Sequence, residues 1–176
     1  NDGDLDLVAT NGTNFQPWNE DPMRFWRNEG DGGRMTELSE AAGLTDRGDG
    51  RGLIVFDYDE DGDLDIFVVR SEDTPLLYRN EGVEQGRVGG WLRVRVRGAA
   101  SNAQGLGARV TLYADGRAQV REIRGGNNFL SQSETTAHFG LGDADVERVV
   151  VRWPASGAER VVPSPARNGT IVVTEP

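Results

Sequence analysis

Apolar residues in this chain come in short runs, and glycine, proline or aspartate breaks follow each one. Trp91–Arg97 alternates cleanly, with Leu92, Val94 and Val96 on one face and Arg93, Arg95 and Arg97 on the other, which predicts a strand buried on one side. Ala108–Ala114 and Arg117–Arg124 flank Asp115-Gly116, a strong hairpin signal. Arg148–Trp153, Glu159–Val162 and Thr170–Thr174 read as further strands, broken by Pro154, Gly157, Pro163 and Pro165. Upstream, Leu5–Ala9 and Asp65–Val69 read as strands, with Met23–Arg27 and Pro75–Arg79 as their partners. Glu37–Ala42 predicts one short helical stretch, with Thr36 as its cap and Gly43 as its stop. The pattern is that of an all-β protein.

The chain also repeats itself. Asp2-Gly3-Asp4-Leu5-Asp6-Leu7-Val8 returns as Asp61-Gly62-Asp63-Leu64-Asp65-Ile66-Phe67, and Phe25-Trp26-Arg27-Asn28-Glu29-Gly30 returns as Leu77-Tyr78-Arg79-Asn80-Glu81-Gly82. Both motifs recur in the same order, which identifies a duplicated unit. Such a unit cannot bury its apolar face alone and packs on its neighbours.

Composition sharpens the division. The 176 residues carry 29 acidic and 19 basic side chains, all of the latter arginine, with one His and no Cys. No disulfide, thiolate metal site or cysteine nucleophile can exist, and the absence of lysine excludes Schiff-base chemistry. Residues 1–90 hold 8 Arg against 21 Asp and Glu, net −13; residues 91–176 hold 11 against 8, net +3. The glycine-rich stretch Val83–Gly90 reads as the linker, giving two expected domains, 1–86 and 87–176. An acidic first half repels nucleic acid and anionic membranes and calls for cations or basic partners. No apolar run is long enough to span a bilayer.

The most specific chemistry is Asp57-Tyr58-Asp59-Glu60-Asp61-Gly62-Asp63-Leu64-Asp65, which fits D-x-D-x-D-G-x-x-D, the front of a Ca²⁺ loop. Asp57, Asp59 and Asp61 can present carboxylates on one concave side, Gly62 allows the sharp turn, the carbonyl of Asp63 points inward, and Asp65 closes the site. Position 12 is Val68, where a helix-flanked loop needs Glu, and the flanking residues are strand formers. A metal-free acidic turn is the competing reading. Each close carboxylate pair opposes it by ~1 kcal/mol in water and ~4 at an effective dielectric of 20. A divalent cation converts that repulsion into attraction. Ca²⁺ suits a flexible carboxylate-rich cage better than Mg²⁺ does.

The first copy opens inside the same loop: Asp2, Asp4 and Asp6 match its later positions, while the first two carboxylate positions have no counterpart. The three residues form at most a partial second metal site, and the chain reads as a fragment of a longer protein.

These residues carry a resemblance. The repeated acidic loop before an apolar strand, followed by aromatic-Arg-Asn-Glu-Gly, resembles FG-GAP/VCBS repeats, the blade-forming units of β-propellers. Trp91-Leu92-Arg93-Val94, Gly107-Ala108-Arg109-Val110, Ser131-Gln132-Ser133, His138-Phe139-Gly140-Leu141-Gly142 and Val151-Arg152-Trp153-Pro154 resemble the ASPIC/UnbV domain. The resemblance implies two propeller-type repeats forming an incomplete propeller, followed by a small antiparallel β-sandwich or barrel-like domain. It further implies a secreted, periplasmic or cell-surface protein, stabilised by Ca²⁺, that binds protein partners in a larger assembly and has no catalytic residues.

Other candidates are weaker. His138 with Ser131 or Ser133 lacks the nucleophile elbow of a serine hydrolase, so His138 reads as structural. Arg93, Arg95 and Arg97, about 7 Å apart along one strand face, read either as a solvated face, as a seat for the acidic repeats, or as a docking row for an anionic glycan or protein. Trp18, Trp26, Trp91 and Trp153 read as core or as sugar platforms. The expected function is a non-catalytic interaction or scaffolding module. The alternatives are an enzyme or enzyme accessory of a biosynthetic pathway, or a carbohydrate-binding module.

Overall fold

A computed structural model describes residues 1–12, 21–30, 32–82 and 89–176. Thirteen strands make up four sheets among these residues. The first repeat is a meander of β1 (Leu7–Ala9), β2 (Arg24–Asn28) and β3 (Met35–Glu37), and the second is a meander of β4 (Gly50–Phe56), β5 (Asp65–Arg70) and β6 (Leu76–Tyr78). Met23, Leu44 and Val68 are buried together, and Val8, Phe25, Leu53, Ile66 and Tyr78 pack around them, so the two meanders share one small core. The units thus cover each other's apolar faces, as the repeat pattern requires.

The second part holds β7 (Gly90–Arg97), β8 (Arg109–Ala114), β9 (Arg117–Glu122), β10 (Thr136–Gly142), β11 (Val146–Arg152), β12 (Glu159–Pro163) and β13 (Gly169–Thr174). Strands β12-β11-β8-β9 form an antiparallel sheet, and β10-β7-β13 form a second, mixed sheet. The inward residues of both sheets, including Leu92, Val94, Val110, Leu112, Phe139, Val149, Val151 and Trp153, make one continuous core. Each is almost fully buried, which stabilises by about 1.5–3 kcal/mol per side chain. The β8–β9 turn is the expected hairpin: Asp115 and Gly116 both have positive φ, 47° and 70°, the geometry of a type I′ turn.

Two expectations change. Glu37–Ala42 is not a helix: Met35–Glu37 is a strand paired with β2, and the chain then makes a single turn, with Ala42 N donating to Leu38 O at 2.9 Å. Pairing with β2 wins because the Ser39 hydroxyl also accepts from Phe25 N at 2.8 Å, which ties the segment to the sheet. The second domain is not wholly antiparallel, since β13 runs parallel to β7, with Gly169 opposite Leu92 and Thr174 opposite Arg97. His138, read as structural, lies within strand β10. Trp18 and residues 83–88 of the linker, with the expected domain boundary, lie outside the described residues.

Candidate metal centre

The acidic loop is the connection of a hairpin. β4 pairs with β5 up to Phe56 opposite Asp65, so residues 57–64 must turn back on themselves within that register. Glu60 and Gly62 make the reversal with φ of 61° and 95°. The turn brings oxygens of Asp57, Asp59 and Asp61 within 4.8 Å of one another.

The hydrogen bonding of these carboxylates is half complete. Asp57 Oδ2 accepts from Gly62 N at 3.2 Å and from Arg93 Nη1 at 3.0 Å. Asp61 Oδ1 accepts from Asp63 N at 2.8 Å, and Asp59 Oδ2 accepts from Arg79 Nε at 2.8 Å. Asp57 Oδ1 and Asp61 Oδ2 are buried and have no hydrogen-bond partner. A buried acceptor left unpaired costs about 1–3 kcal/mol, and more when it is charged. Burial pushes the Asp57 carboxyl above its ordinary value; Arg93 and the Gly62 amide pull it down, and Asp61 and Asp65 add to the rise. Two orphaned carboxylate oxygens in one acidic cluster fit a hard cation, and Asp57, Asp59 and Asp61 are the residues that can hold it.

The other two loop carboxylates are used differently. Asp65 is buried, and its oxygens accept from Tyr58 N at 3.1 Å and Asn80 N at 2.8 Å. Burial raises its pKa, the two amides oppose that, and Asp59 and Asp61 add to it. Asp63 is buried too, and its Oδ1 accepts from Asn1 Nδ2 at 3.1 Å. Neither belongs to the close oxygen cluster. In the first copy, Asp2 Oδ1 accepts from Asp4 N at 3.1 Å, and Asp6 Oδ1 accepts from Asn28 N at 2.8 Å. Asp2, Asp4 and Asp6 form no comparable cluster among the described residues. The Asp6–Asn28 bond is the counterpart of Asp65–Asn80, and Gly30 N and Gly82 N likewise return to the Asn28 and Asn80 side chains at 3.0 and 3.2 Å. The two repeated sequence motifs are therefore one structural device: the aspartate fastens the Asn-Glu-Gly turn.

The arginine row divides. Arg93 is 3 % exposed, lies against Asp57, and its Nη2 donates to both Glu134 oxygens at 2.8 Å. It seats the acidic loop and cannot meet an external partner; Arg95 and Arg97 are exposed. The alternation placed Arg93 outward correctly, and its burial comes from the repeat packed against that face. His138 Nε2 lies 2.7 Å from Asn1 Oδ1, and its ring stacks on Trp91 at 6.4 Å. Burial first, and the nearby positive charge of Arg93 next, lower the His138 pKa to about 4. Ser131 and Ser133 accept from Leu53 N at 3.2 Å and Val55 N at 3.1 Å, so their hydroxyls engage the free edge of β4. Trp153 is 1 % exposed and belongs to the core. Asn1 and Glu134 carry roles that no sequence motif announced.

Comparison with known proteins accords with this architecture. Residues 1–68 match the family described as FG-GAP-like repeat, and residues 98–176 match the family described as ASPIC and UnbV. The chain is 35% identical to cartilage acidic protein 1 of Mus musculus over 147 residues, which is 81% of this chain and 22% of that protein. The human protein of the same name gives the same figures, and the Xenopus tropicalis one is 33% identical over 155 residues, 88% of this chain and 24% of that protein. The chain therefore spans less than a quarter of the length of these relatives. Residues 1–68 thus carry the FG-GAP-like repeat family's pattern and residues 98–176 that of the ASPIC and UnbV family, in that order along one chain.

Proposed function

We propose that this chain is a Ca²⁺-stabilised protein-interaction module that works outside the cytoplasm, as part of a larger assembly and without a catalytic centre. The observation that carries the metal reading is the cluster of Asp57, Asp59 and Asp61 with two buried, unpartnered oxygens. Ca²⁺ takes six to eight hard oxygens and tolerates irregular geometry, which suits a strand-flanked loop better than the strict octahedron of Mg²⁺. Asp63 through its carbonyl and Asp65 through its carboxylate are the proposed supporting residues, and Asp2, Asp4 and Asp6 are a proposed partial second site. When bound, the ion supplies positive charge that cancels carboxylate repulsion and makes metal binding part of folding.

The interaction reading is supported by the two family matches and by exposed apolar side chains. Val69 and Leu77 on the outer face of the second repeat are 47% and 45% exposed, and Phe129 and Leu130 on a nearby loop are 73% and 74% exposed. Apolar groups grouped in this way favour a protein partner. Exposed Arg95 and Arg97 are the proposed contacts for an acidic segment of that partner. Thermal unfolding in millimolar Ca²⁺ and in excess chelator tests the metal reading. The expected result is a higher melting temperature with Ca²⁺ and loss of that difference in Asp59→Ala; equal melting in both conditions refutes it.

A further inference from the structure

We infer that the acidic loop is also the joint between the repeats and the second domain, so that metal occupancy and seating of that domain form one coupled equilibrium through Arg93. The inference rests on the Ca²⁺ reading of Asp57, Asp59 and Asp61, and concerns what the back of the loop does.

The loop has two sides. One gathers the candidate ligands, and the other lies on β7. Trp91 closes against Gly62 so tightly that a Cβ there would lie 2.0 Å from the indole Nε1. Arg93 passes between the domains, with Nη1 on Asp57 at 3.0 Å and Nη2 on Glu134 at 2.8 Å. The Asp57 and Arg93 side chains are 0% and 4% exposed, so this pair is withdrawn from water. Asn1 adds a third tie: its Nδ2 donates to Gly62 O at 3.0 Å, its Oδ1 meets His138 Nε2 at 2.7 Å, and its carbonyl accepts from Gly142 N at 2.8 Å.

One carboxylate therefore serves both sides. Asp57 Oδ2 faces the second domain, and Asp57 Oδ1 is buried with no partner. Arg93 Nε is likewise buried and unpartnered, so the joint is incompletely satisfied. A cation on Oδ1 fixes the carboxylate in the orientation that presents Oδ2 to Arg93. Seating of Arg93 in turn pre-orders Asp57 for the cation. Linkage makes the effect reciprocal, by a factor of about 5 to 150 for a typical coupling.

A reporter lies in the second domain, outside the candidate ligands. Ser131, Ser133 and Asn128 of the second domain hold β4 through Leu53 and Val55, with Asn128 Nδ2 donating to Leu53 O at 2.8 Å. Hydrogen exchange of residues 125–135 in the full chain, with and without saturating Ca²⁺, reads whether the second domain is seated. Calorimetric Ca²⁺ titration of the same protein reads the site. In the native sequence, Ca²⁺ should slow exchange in this segment by about 5-fold or more. Arg93→Gln should still bind Ca²⁺ yet lose that slowing. Glu134→Gln keeps the Arg93–Asp57 contact but frees the far end of Arg93, should reduce the slowing, and serves as the comparison if Arg93→Gln fails to fold. Ca²⁺ binding without any change in residues 125–135, or equal slowing in the native protein and the variants, overturns the coupling and leaves the metal reading standing. Absence of Ca²⁺ binding overturns both.

Discussion

Gly62→Ala separates two forces acting at one atom. The residue has φ of +95°, where a Cβ crowds its own backbone, and the added methyl would also sit 2.0, 2.1 and 2.7 Å from Trp91 Nε1, Cε2 and Cδ1. The backbone contribution is about 1–2 kcal/mol. Overpacking against a ring adds about 1–3 kcal/mol, because Trp91 is held on its other face by His138 at a ring distance of 6.4 Å and cannot swing away freely. Together the substitution should destabilise by about 2–5 kcal/mol, which at roughly 2–4 °C per kcal/mol for a chain of this size is about 4–20 °C. Melting followed by circular dichroism in excess chelator keeps metal binding out of the comparison. The steric part should vanish in Gly62→Ala combined with Trp91→Ala, giving a coupling of about 1–3 kcal/mol in a double-mutant cycle, while the backbone part stays. A Gly62→Ala protein that melts within 1 °C of the native one would refute the close packing of the loop on β7. Additive single effects would place the whole loss in the backbone.

Three further outcomes follow from the contacts described. His138, with its pKa lowered to about 4 from 6.5, must be neutral in the folded state. At this residue the unfolded chain binds more protons between those values, so the His138 contribution to stability should rise by on the order of 3 kcal/mol as pH goes from about 4 to 6.5. That contribution is opposite in sign to that of the raised Asp57 and Asp65, and the difference between the native protein and His138→Gln in denaturant titrations isolates it. Phe139→Ala removes a fully buried ring that Arg121 covers at 5.2 Å, and should cost about 3–5 kcal/mol in urea unfolding. Ser131→Ala with Ser133→Ala leaves the Leu53 and Val55 amides without acceptors, and should cost about 1–3 kcal/mol per amide, with faster hydrogen exchange at those two positions and little change within β8–β9.

How much of this was legible in the sequence depended on how local the cause was. The β8–β9 hairpin and the alternation of β7 are set by residues adjacent in the chain, and both stand where the pattern placed them. The gathering of Asp57, Asp59 and Asp61 is also local, because the spacing and Gly62 dictate it. Glu37–Ala42 misled because helix-compatible residues there are overruled by pairing with β2 and by Ser39, partners with no fixed sequence offset. Asp65 has the spacing of a ligand and also accepts from the amides of Tyr58 and Asn80, a second use that spacing alone does not state. The recurrence of Asp6 with Asn28 and of Asp65 with Asn80 was the available signal for that fastening. Arg93 shows the limit of periodicity: alternation states which way a side chain points, and cannot state what another part of the chain will lay over it.

The parallel pairing of β7 with β13 bears on the order of assembly. β7 contributes the middle strand of its sheet, and one of its two neighbours comes from the far end of the domain, with Leu92 opposite Gly169. During synthesis both repeats leave the ribosome before that partner exists. Non-local pairing of this kind forms late, after the entropy of closing a long loop has been overcome. The arginine that receives Asp57 is therefore presented on a finished surface only after Gly169–Thr174 has docked. Until then Asp57 has no arginine beside it, so closure of the second domain sets when that carboxylate acquires its protein counter-charge.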